Sequence, residues 1–508
     1  MKDFIKKHEN LITGSISVFD RIIFKGYLPI SYPESAEKFF TRRGMLLKEF
    51  KDFTKFQTER LRAQAQKLAE KAQRPYEYLN GYVRKEEYVR KIAKRDGITE
   101  GLICVLARNE ENHSFALRYG EKRPRLKKNK PRCLTLYFYY FDRHFGFMHV
   151  RLSTWMPFPI QIYINGHDWL ARQLTAKHIG FEQMENAFLS VDSCCKAQDI
   201  ADRFPTLKWE KILHVFARRV NPLLKTVLSG MEYYWVIDQA EYATDVMFKQ
   251  HAVLDELYLN WQKHAAVCTQ AEDVMRFMGR KLHGSFNSLI QTDAKYRPDV
   301  TRIKHLMRGN WIKMYNKQGI VLRVETVINR PREFRISRTG RGKQAIDWGP
   351  MPKRVSSMQR YAQISLRANQ AYLQALAQVD NPTKVFQLLE ALCRPQKLAK
   401  ARVRGLNPLA EKDRSLFEAI LRGEHFIQGF RAADLATRLK IIRPNNPIYR
   451  KRYSAKLNRM LRLLRGHGLI TKIPRSRRYK ITDSGMKLMN AVIDLRTNGF
   501  PDMSKMAA

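Results

Sequence analysis

The chain has 508 residues, 44% of them hydrophobic, which is long enough to form about two to four domains with sizeable cores. Its 93 lysine and arginine residues against 48 aspartate and glutamate residues give a formal net charge of +45, which exceeds what solubility requires and predicts a polyanionic partner. Because no apolar run reaches the length of a membrane span, the N-terminus is charged and the six cysteines lack C-x-x-C spacing, we expect a cytoplasmic protein without membrane binding, zinc or disulfides.

The order of the predicted elements indicates an α+β protein with four regions. A strand and helices occupy residues 1–100, and a mixed core with an antiparallel sheet follows at 101–336. Residues 337–408 are predicted to be a helical connector, and residues 409–498 a helical domain that contains one hairpin.

The first predicted strand, residues 15–26, alternates polar and apolar side chains and contains Asp20. A carboxylate in the middle of a strand must be solvated, paired with a cation such as Arg21, or used in chemistry. We keep Asp20 as a candidate metal ligand beside its interpretation as an ion pair.

Helices are predicted at 45–72 and 85–95, and strands follow at 101–107, 114–119, 133–141, 147–155 and 159–165. The later strands mix aromatic and basic side chains, namely Tyr137, Tyr139, Phe147, His149, Arg151 and Trp155. Such a mixture either stacks bases and holds phosphates or forms a hydrophobic core, and both interpretations are kept.

Residues 169–256 are predicted to be mainly helical, and an acidic stretch begins within them. Residues 232–260 hold six acids against the single Lys249. Glu241 and Asp245 are four residues apart and would share one helix face, where they could hold a divalent cation such as Mg²⁺. The alternative is ion pairing with the surrounding lysines and arginines.

Residues 309–329 are predicted to form a β-hairpin with a three-residue loop that ends at Gly319, the left-handed bulge position. This register places Lys313 opposite Arg323 and separates an apolar face from a polar one. The polar face carries the candidate catalytic residues Lys313, Tyr315, Arg323 and Glu325.

A strand with Tyr-x-Lys, a glycine turn and then Leu-Arg-x-Glu resembles the core hairpin of rolling-circle replication initiators and relaxases. The matching positions are Tyr315, Lys317, Arg323 and Glu325. The resemblance implies an enzyme that nicks one DNA strand with a tyrosine nucleophile, here Tyr315, beside a bound metal. Those proteins commonly hold the metal with an H-x-H pair, which this chain lacks.

The most basic stretch is residues 435–482, which contain 15 lysines and arginines and no acid. Residues 454–466 predict an amphipathic helix with Ser454 as N-cap, followed by two short strands at 469–473 and 478–481 and a closing helix at 486–495. Two further predicted helices, at 411–421 and 431–439, precede it.

The pattern Leu-x-x-Leu-Arg-Gly-His-Gly-Leu-Ile … Arg-Arg-Tyr-Lys-Ile-Thr-x-x-Gly over residues 461–485 resembles the winged-helix domains of bacterial transcription regulators. The resemblance implies a helix that lies in the major groove of DNA and a hairpin wing that contacts the backbone. The candidate nucleic-acid-binding residues are Lys456, Arg459, Arg462, Arg475, Arg477 and Arg478.

Two functions remain open. The first is an enzyme of a mobile element that binds DNA and cleaves or transfers a strand, as a nickase, nuclease or transposase, with Asp20, Glu241, Asp245 and Glu325 offering carboxylates to one or two Mg²⁺ ions. The second is a non-catalytic RNA-binding or transcription-regulatory protein whose acids pair internally. The whole chain also resembles a family of bacterial proteins of this size, which supplies no activity.

Overall fold

The computed structural model describes residues 1–119, 124–267, 274, 277–279, 290–295, 302–339, 346–377, 379, 392–398, 401–407, 410–421, 429–474 and 476–497. The chain divides into two compact units. The sheet unit comprises Thr13–Lys249 and Arg308–Leu366, and the helical unit comprises Met1–Ile12, Gln250–Met307 and Arg367–Ala508. Helices and a large sheet of mostly antiparallel strands confirm the predicted α+β class.

The helices, in chain order, are α1 Lys2–Lys7, α2 Pro33–Arg42, α3 Phe50–Lys71, α4 Lys85–Arg95, α5 Gly166–Ala176, α6 Cys194–Ala201, α7 Trp209–Val220, α8 His251–Val267, α9 Met358–Leu376, α10 Glu411–Ile420, α11 Ala432–Arg438, α12 Pro447–Gly466 and α13 Asp483–Thr497. The strands are β1 Ile12–Tyr27, β2 Tyr76–Tyr78, β3 Gly101–Glu111, β4 Ser114–Arg118, β5 Arg125–Asn129, β6 Arg132–Asp142, β7 Gly146–Ser153, β8 Ile160–Asn165, β9 Phe181–Met184, β10 Ala187–Val191, β11 Tyr234–Phe248, β12 Ile290–Lys295, β13 Arg302–Met307, β14 Asn310–Lys317, β15 Val321–Ile328, β16 Arg335–Thr339, β17 Ile346–Pro350, β18 Gln396–Leu398, β19 Ala401–Val403, β20 Ile470–Lys472 and β21 Tyr479–Ile481.

The sheet unit is built on nine neighbouring strands in the order β14-β15-β11-β1-β8-β7-β6-β3-β2. β1 therefore lies between β11 and β8, far from both ends of the row. Strand β14 has two different faces, because the fully buried Ile312 and Met314 alternate along it with the half-buried Lys313 and Tyr315. The row brings strands from distant parts of the sequence side by side.

The hairpin of β14 and β15 has the predicted faces but a different register. Lys313 lies opposite Glu325, and Tyr315 lies opposite Arg323, so the predicted pairing of Lys313 with Arg323 is wrong by two residues. The turn lies one residue later than predicted because Gln318, at φ 57°, and Gly319, at φ 70°, are both left-handed. A shift of two residues leaves every side chain on its face, so the predicted polar face is confirmed.

Residues 234–248 form β11, which corrects the prediction that residues 169–256 are mainly helical. The segment contains aromatic and β-branched residues that favour a strand, and it is buried along most of its length. Glu241 and Asp245 still share a face, because side chains four apart lie on the same side of a strand as well as of a helix.

The aromatic side chains of β6 and β7 belong to a hydrophobic core. Tyr137, Tyr139 and Phe147 are each at most 6% exposed and pack with Val89 and Ile92 of α4. The structure therefore favours the core interpretation of these aromatics over base stacking.

The C-terminal part of the helical unit runs α10, α11, α12, the β20–β21 hairpin and α13. Leu457, Leu461 and Leu464 of α12 are buried as the periodicity predicts. However, α12 begins at Pro447 and not at Ser454, which is an exposed residue inside the helix. Proline suits the first helical position because it has no N–H to leave unpaired, and this outweighs the N-cap preference of Ser454.

Candidate active site

Four neighbouring strands of the sheet unit place polar side chains together on one face. The cross-strand register puts Asp245 of β11 opposite Arg323 of β15, and Ala243 opposite Glu325. The predicted residues on this face are Asp20 of β1, Glu241 and Asp245 of β11, Arg323 and Glu325 of β15, and Lys313 and Tyr315 of β14.

Three of these residues form a buried acid cluster, which we define as Asp20, Glu241 and Glu325. One carboxylate oxygen from each lies within 4.8 Å of the others, and the residues are 5%, 7% and 1% exposed. Burial and the neighbouring Glu325 raise the pKa of Glu241 to about 8, because like charges at this separation resist ionisation together. Hard oxygen ligands of this kind suit Mg²⁺ or Mn²⁺, so the donor set fits a divalent cation.

Lys313 supplies a positive charge to two members of the acid cluster. Its Nζ donates to Glu325 Oε1 at 2.8 Å and to Glu241 Oε2 at 3.3 Å. Burial is the largest influence on the pKa of Glu325 and acts to raise it, but the charge of Lys313 together with the hydrogen bonds to Glu241 and Lys313 lowers the pKa overall. Glu241 Oε1 also accepts a hydrogen bond from Gln239.

The hydroxyl of Tyr315 donates to Glu325 Oε2 at 2.9 Å. Burial, and then the charge of Glu325, raise the pKa of Tyr315 well above its ordinary value. A phenolate nucleophile is therefore disfavoured in this arrangement, and Tyr315 acts here as a hydrogen-bond donor that orients Glu325.

Arg323 holds Asp245 in a buried ion pair beside the acid cluster. The guanidinium is 0% exposed, and its Nε and Nη2 donate to the two oxygens of Asp245 at 2.6 and 2.7 Å. Its Nη1 lies 3.5 Å from Asp20 Oδ2. Asp20 and Glu241 therefore lie close to Glu325 in the acid cluster. Asp245, which lies opposite Arg323 in the register, instead forms an ion pair with that arginine.

His167 was not among the residues singled out from the sequence, yet it joins two of the predicted acids. Its Nδ1 is 3.0 Å from Asp20 Oδ1, and its Nε2 is 3.2 Å from Asp245 Oδ2. Burial and Arg323 oppose protonation, but hydrogen bonds to the two aspartates outweigh them and raise the pKa of His167. Asn165 places His167 by capping α5, and Asn after a strand was the available sequence signal.

Asp20 is held from several directions. Asn186, in the turn between β9 and β10, donates to Asp20 Oδ1 at 2.7 Å, and Asn165 donates to the same oxygen at 3.3 Å. Burial acts to raise the pKa of Asp20, but Arg323 and then His167 lower it below the usual range. Asp20 is therefore ionised and fixed in position, as a metal ligand requires.

The basic residues of the C-terminal region lie mainly on α12. Lys456, Arg459 and Arg462 are exposed and succeed one another at three-residue spacing, and Arg477 in the hairpin connection is exposed too. Arg478 is half-buried and its Nη1 donates to the carbonyl of Gly429 at 3.3 Å. One of its N–H groups therefore makes a contact within the protein. Arg475 lies outside the described residues.

The chain matches no protein-family profile, no curated protein and no solved structure. Among the described residues, none of the helices combines the length and the apolar character needed to cross a membrane. Function is therefore inferred from the chemistry of the acid cluster and of the basic residues on α12.

Proposed function

We propose that the protein binds nucleic acid and cleaves or transfers a strand at the acid cluster with the help of a divalent cation, Mg²⁺ or Mn²⁺. The observation that supports this most strongly is the convergence of Asp20, Glu241 and Glu325 from three neighbouring strands. Of the five aspartates and glutamates that are buried among the described residues, four lie at this place, in a chain whose formal net charge is +45. Cleavage of a phosphodiester commonly uses a cation held by such carboxylates.

Asp20, Glu241 and Glu325 would hold the cation. The chemistry that such an ion supplies is polarisation of a phosphate oxygen and a lowered pKa of bound water. Water is favoured over Tyr315 as the nucleophile, because the Tyr315 hydroxyl already donates to Glu325 and its pKa is raised well above the ordinary value.

The residues around the acid cluster act as positioning residues. His167, Asn186 and Arg323 fix the carboxylate of Asp20, while Lys313 and Tyr315 each engage one oxygen of Glu325. Lys313 also balances the charge of two neighbouring carboxylates and would lie beside a phosphate held at the cluster. Such surrounding hydrogen bonds typically govern metal affinity by about 10- to 100-fold.

Binding to DNA is assigned to the exposed basic residues of α12, with Lys456, Arg459 and Arg462 contacting phosphates or base edges and Arg477 contacting the backbone. The element order α10 to α13 with one hairpin supports the resemblance to winged-helix domains. The protein would then be a site-directed DNA-binding enzyme of a mobile element.

A non-catalytic protein that binds RNA or regulates transcription is the second candidate. It is favoured by one specific observation, namely that Lys313 and Arg323 already pair with the carboxylates of the site. In that case the acids stabilise the sheet and the basic surface alone carries function.

The two candidates are separated by incubating labelled single- and double-stranded oligonucleotides with the protein and Mg²⁺ or Mn²⁺. We expect conversion by the wild type and by Glu59→Gln, a control in α3 whose side chain is 70% exposed, and none by Glu325→Gln. Conversion that persists in Glu325→Gln would reject the acid cluster as the site of cleavage. Binding with no conversion by the wild type would reject the enzyme and leave the second candidate.

A further inference from the structure

An open groove lies on the sheet unit among α4, β7, α5 and the turn between β9 and β10. Its volume is about 520 Å³, within the range of about 300–1,000 Å³ typical of small-ligand sites. The side chains that matter for its chemistry are Arg90, Phe141, Phe147, Asp168, Arg172 and Glu185.

The groove and the acid cluster are built from the same two chain segments. Asp168 of the groove follows His167, which contacts Asp20, and Glu185 precedes Asn186, which donates to Asp20. Lys317 joins the two places, because its Nζ lies 3.4 Å from Glu185 Oε2 and also donates to Asn186 Oδ1. The segments that line the groove therefore also hold Asp20 of the acid cluster in position.

The lining offers both an aromatic wall and positive charge. The Arg90 guanidinium lies 4.2 Å from the centre of the Phe147 ring, and Phe141 is half-buried beside it. Arg172 contacts only a backbone carbonyl, that of Arg143 at 3.5 Å, among the described residues. Planar aromatic and guanidinium groups of this kind stack on bases and bind phosphates.

The two acids of the groove do not cancel this charge. Lys317 pairs with Glu185 at the rim. Asp168 is the more buried of the two and offsets one further positive charge, so Arg90 and Arg172 together leave the groove with a net positive charge. The remaining positive groups, Arg90 and Arg172, suit a ligand that carries one phosphate and one aromatic ring.

We infer that the groove binds one nucleotide of the substrate strand, with the base against Phe141 and the phosphate at Arg90 and Arg172, on the chain segments that also position Asp20. The inference rests on the proposed function, because it names the subsite that holds the strand on one side of the bond to be cleaved. It adds a nucleotide-binding site that is separate from the basic residues of α12.

The test is titration of AMP and dTMP into the full chain with a chelator present, followed by calorimetry or by NMR of the ligand. Arg90→Ala/Arg172→Ala should weaken binding at least about tenfold, as expected when two charge-assisted contacts are lost. Lys91→Ala/Lys177→Ala is the matched control, since it removes two exposed charges from α4 and from the end of α5 outside the groove.

A second variant tests the groove without changing charge. Thr175 is exposed and lines the groove, so Thr175→Trp should fill it and also abolish binding. Equal binding by wild type and all variants, or no binding by the wild type, would overturn the inference. If inorganic phosphate competes as well as the nucleotide does and a nucleoside does not compete, the groove binds only an anion. That result would overturn the assignment of a base to the groove.

The outcome is distinguishable from failure of the proposed function. Glu325→Gln should keep nucleotide binding and lose strand cleavage. Cleavage by a wild-type protein that binds no nucleotide would reject the groove alone, whereas nucleotide binding without cleavage by the wild type would reject the proposed enzyme alone.

Discussion

Replacing Arg323 by methionine removes the only guanidinium that pairs Asp245 within the described part of the site. Five contacts are lost, namely two to Asp245 at 2.6 and 2.7 Å, one to the Asn186 carbonyl at 2.6 Å, one to His167 Nε2 at 3.1 Å and the approach to Asp20 at 3.5 Å. Because Arg323 is 0% exposed, the partner carboxylates remain buried and lose their charge balance. Breaking a buried pair in this way costs about 3–5 kcal/mol.

For a unit of about 300 residues, whose unfolding entropy is about 2.1 cal/mol/K per residue, a loss of that order lowers the melting temperature by roughly 5–8 °C. Thermal unfolding at neutral pH, followed by circular dichroism or calorimetry, measures it. Arg335→Met is the control, because Arg335 is exposed and its Nη2 donates to the Trp348 carbonyl at 2.9 Å, its one side-chain hydrogen bond among the described residues, so we expect a change within about 0.5 kcal/mol.

A double-mutant cycle with Asp245→Asn should give a coupling energy of about 0.5–3 kcal/mol. In the double variant the charges of Arg323 and Asp245 are both removed, so Asp245 is not left as a buried charge without its partner. If the free energy of unfolding of Arg323→Met lies within about 1 kcal/mol of the wild-type value, the buried ion pairs do not stabilise these strands, and the reasoning about charge balance at the site is refuted.

Three further outcomes are expected. In chelator, the free energy of unfolding contributed by Glu241 should fall as pH rises from 4.5, the ordinary pKa of the group, to about 8, because the folded state retains a proton that the unfolded chain releases. Glu241→Gln should remove this dependence, which amounts to at most about 1.4 kcal/mol per pH unit. Denaturant unfolding at several pH values measures it. Arg459→Ala and Arg462→Ala should each weaken DNA binding and reduce the slope of log affinity against log salt by about 1, and an unchanged slope would exclude a phosphate contact. Gly146→Ala should destabilise by at least about 1 kcal/mol, since Gly146 has φ +66° and an added Cβ would lie 2.8 Å from the Cβ of Asp168; a melting temperature equal to the wild type would contradict this.

The sequence was sufficient to predict which residues share a face. In the β14–β15 hairpin, apolar positions at period two separate Met314 from Tyr315 and Glu325, and that separation is observed. The pairing was predicted wrongly because two left-handed residues, Gln318 and Gly319, set the turn, and turn geometry is weakly encoded when only one of them is glycine.

The acid cluster itself was beyond local patterns. Asp20, Glu241 and Glu325 were each selected from the sequence, but their approach depends on β1 lying beside β11, a long-range pairing that periodicity does not encode. His167 was missed for the same reason. Its contacts with Asp20 and Asp245 are long-range, and the helix cap at Asn165 does not predict them.

The C-terminal region shows the converse case, in which local patterns sufficed. The buried positions of α12 follow from a helical repeat, and the hairpin follows from short apolar runs around a basic turn. The start of α12 was missed because Pro447 admits a longer helix than the first strong apolar repeat indicates.

The most direct test of the central claim is Mn²⁺ binding to the purified full chain, counted by electron paramagnetic resonance. The acid cluster predicts one tightly held ion per chain in the wild type, and its loss in the Asp20→Asn/Glu241→Gln/Glu325→Gln variant, with circular dichroism confirming that the variant folds. Equal Mn²⁺ binding by the folded variant and the wild type would contradict the assignment of these three carboxylates as a cation site.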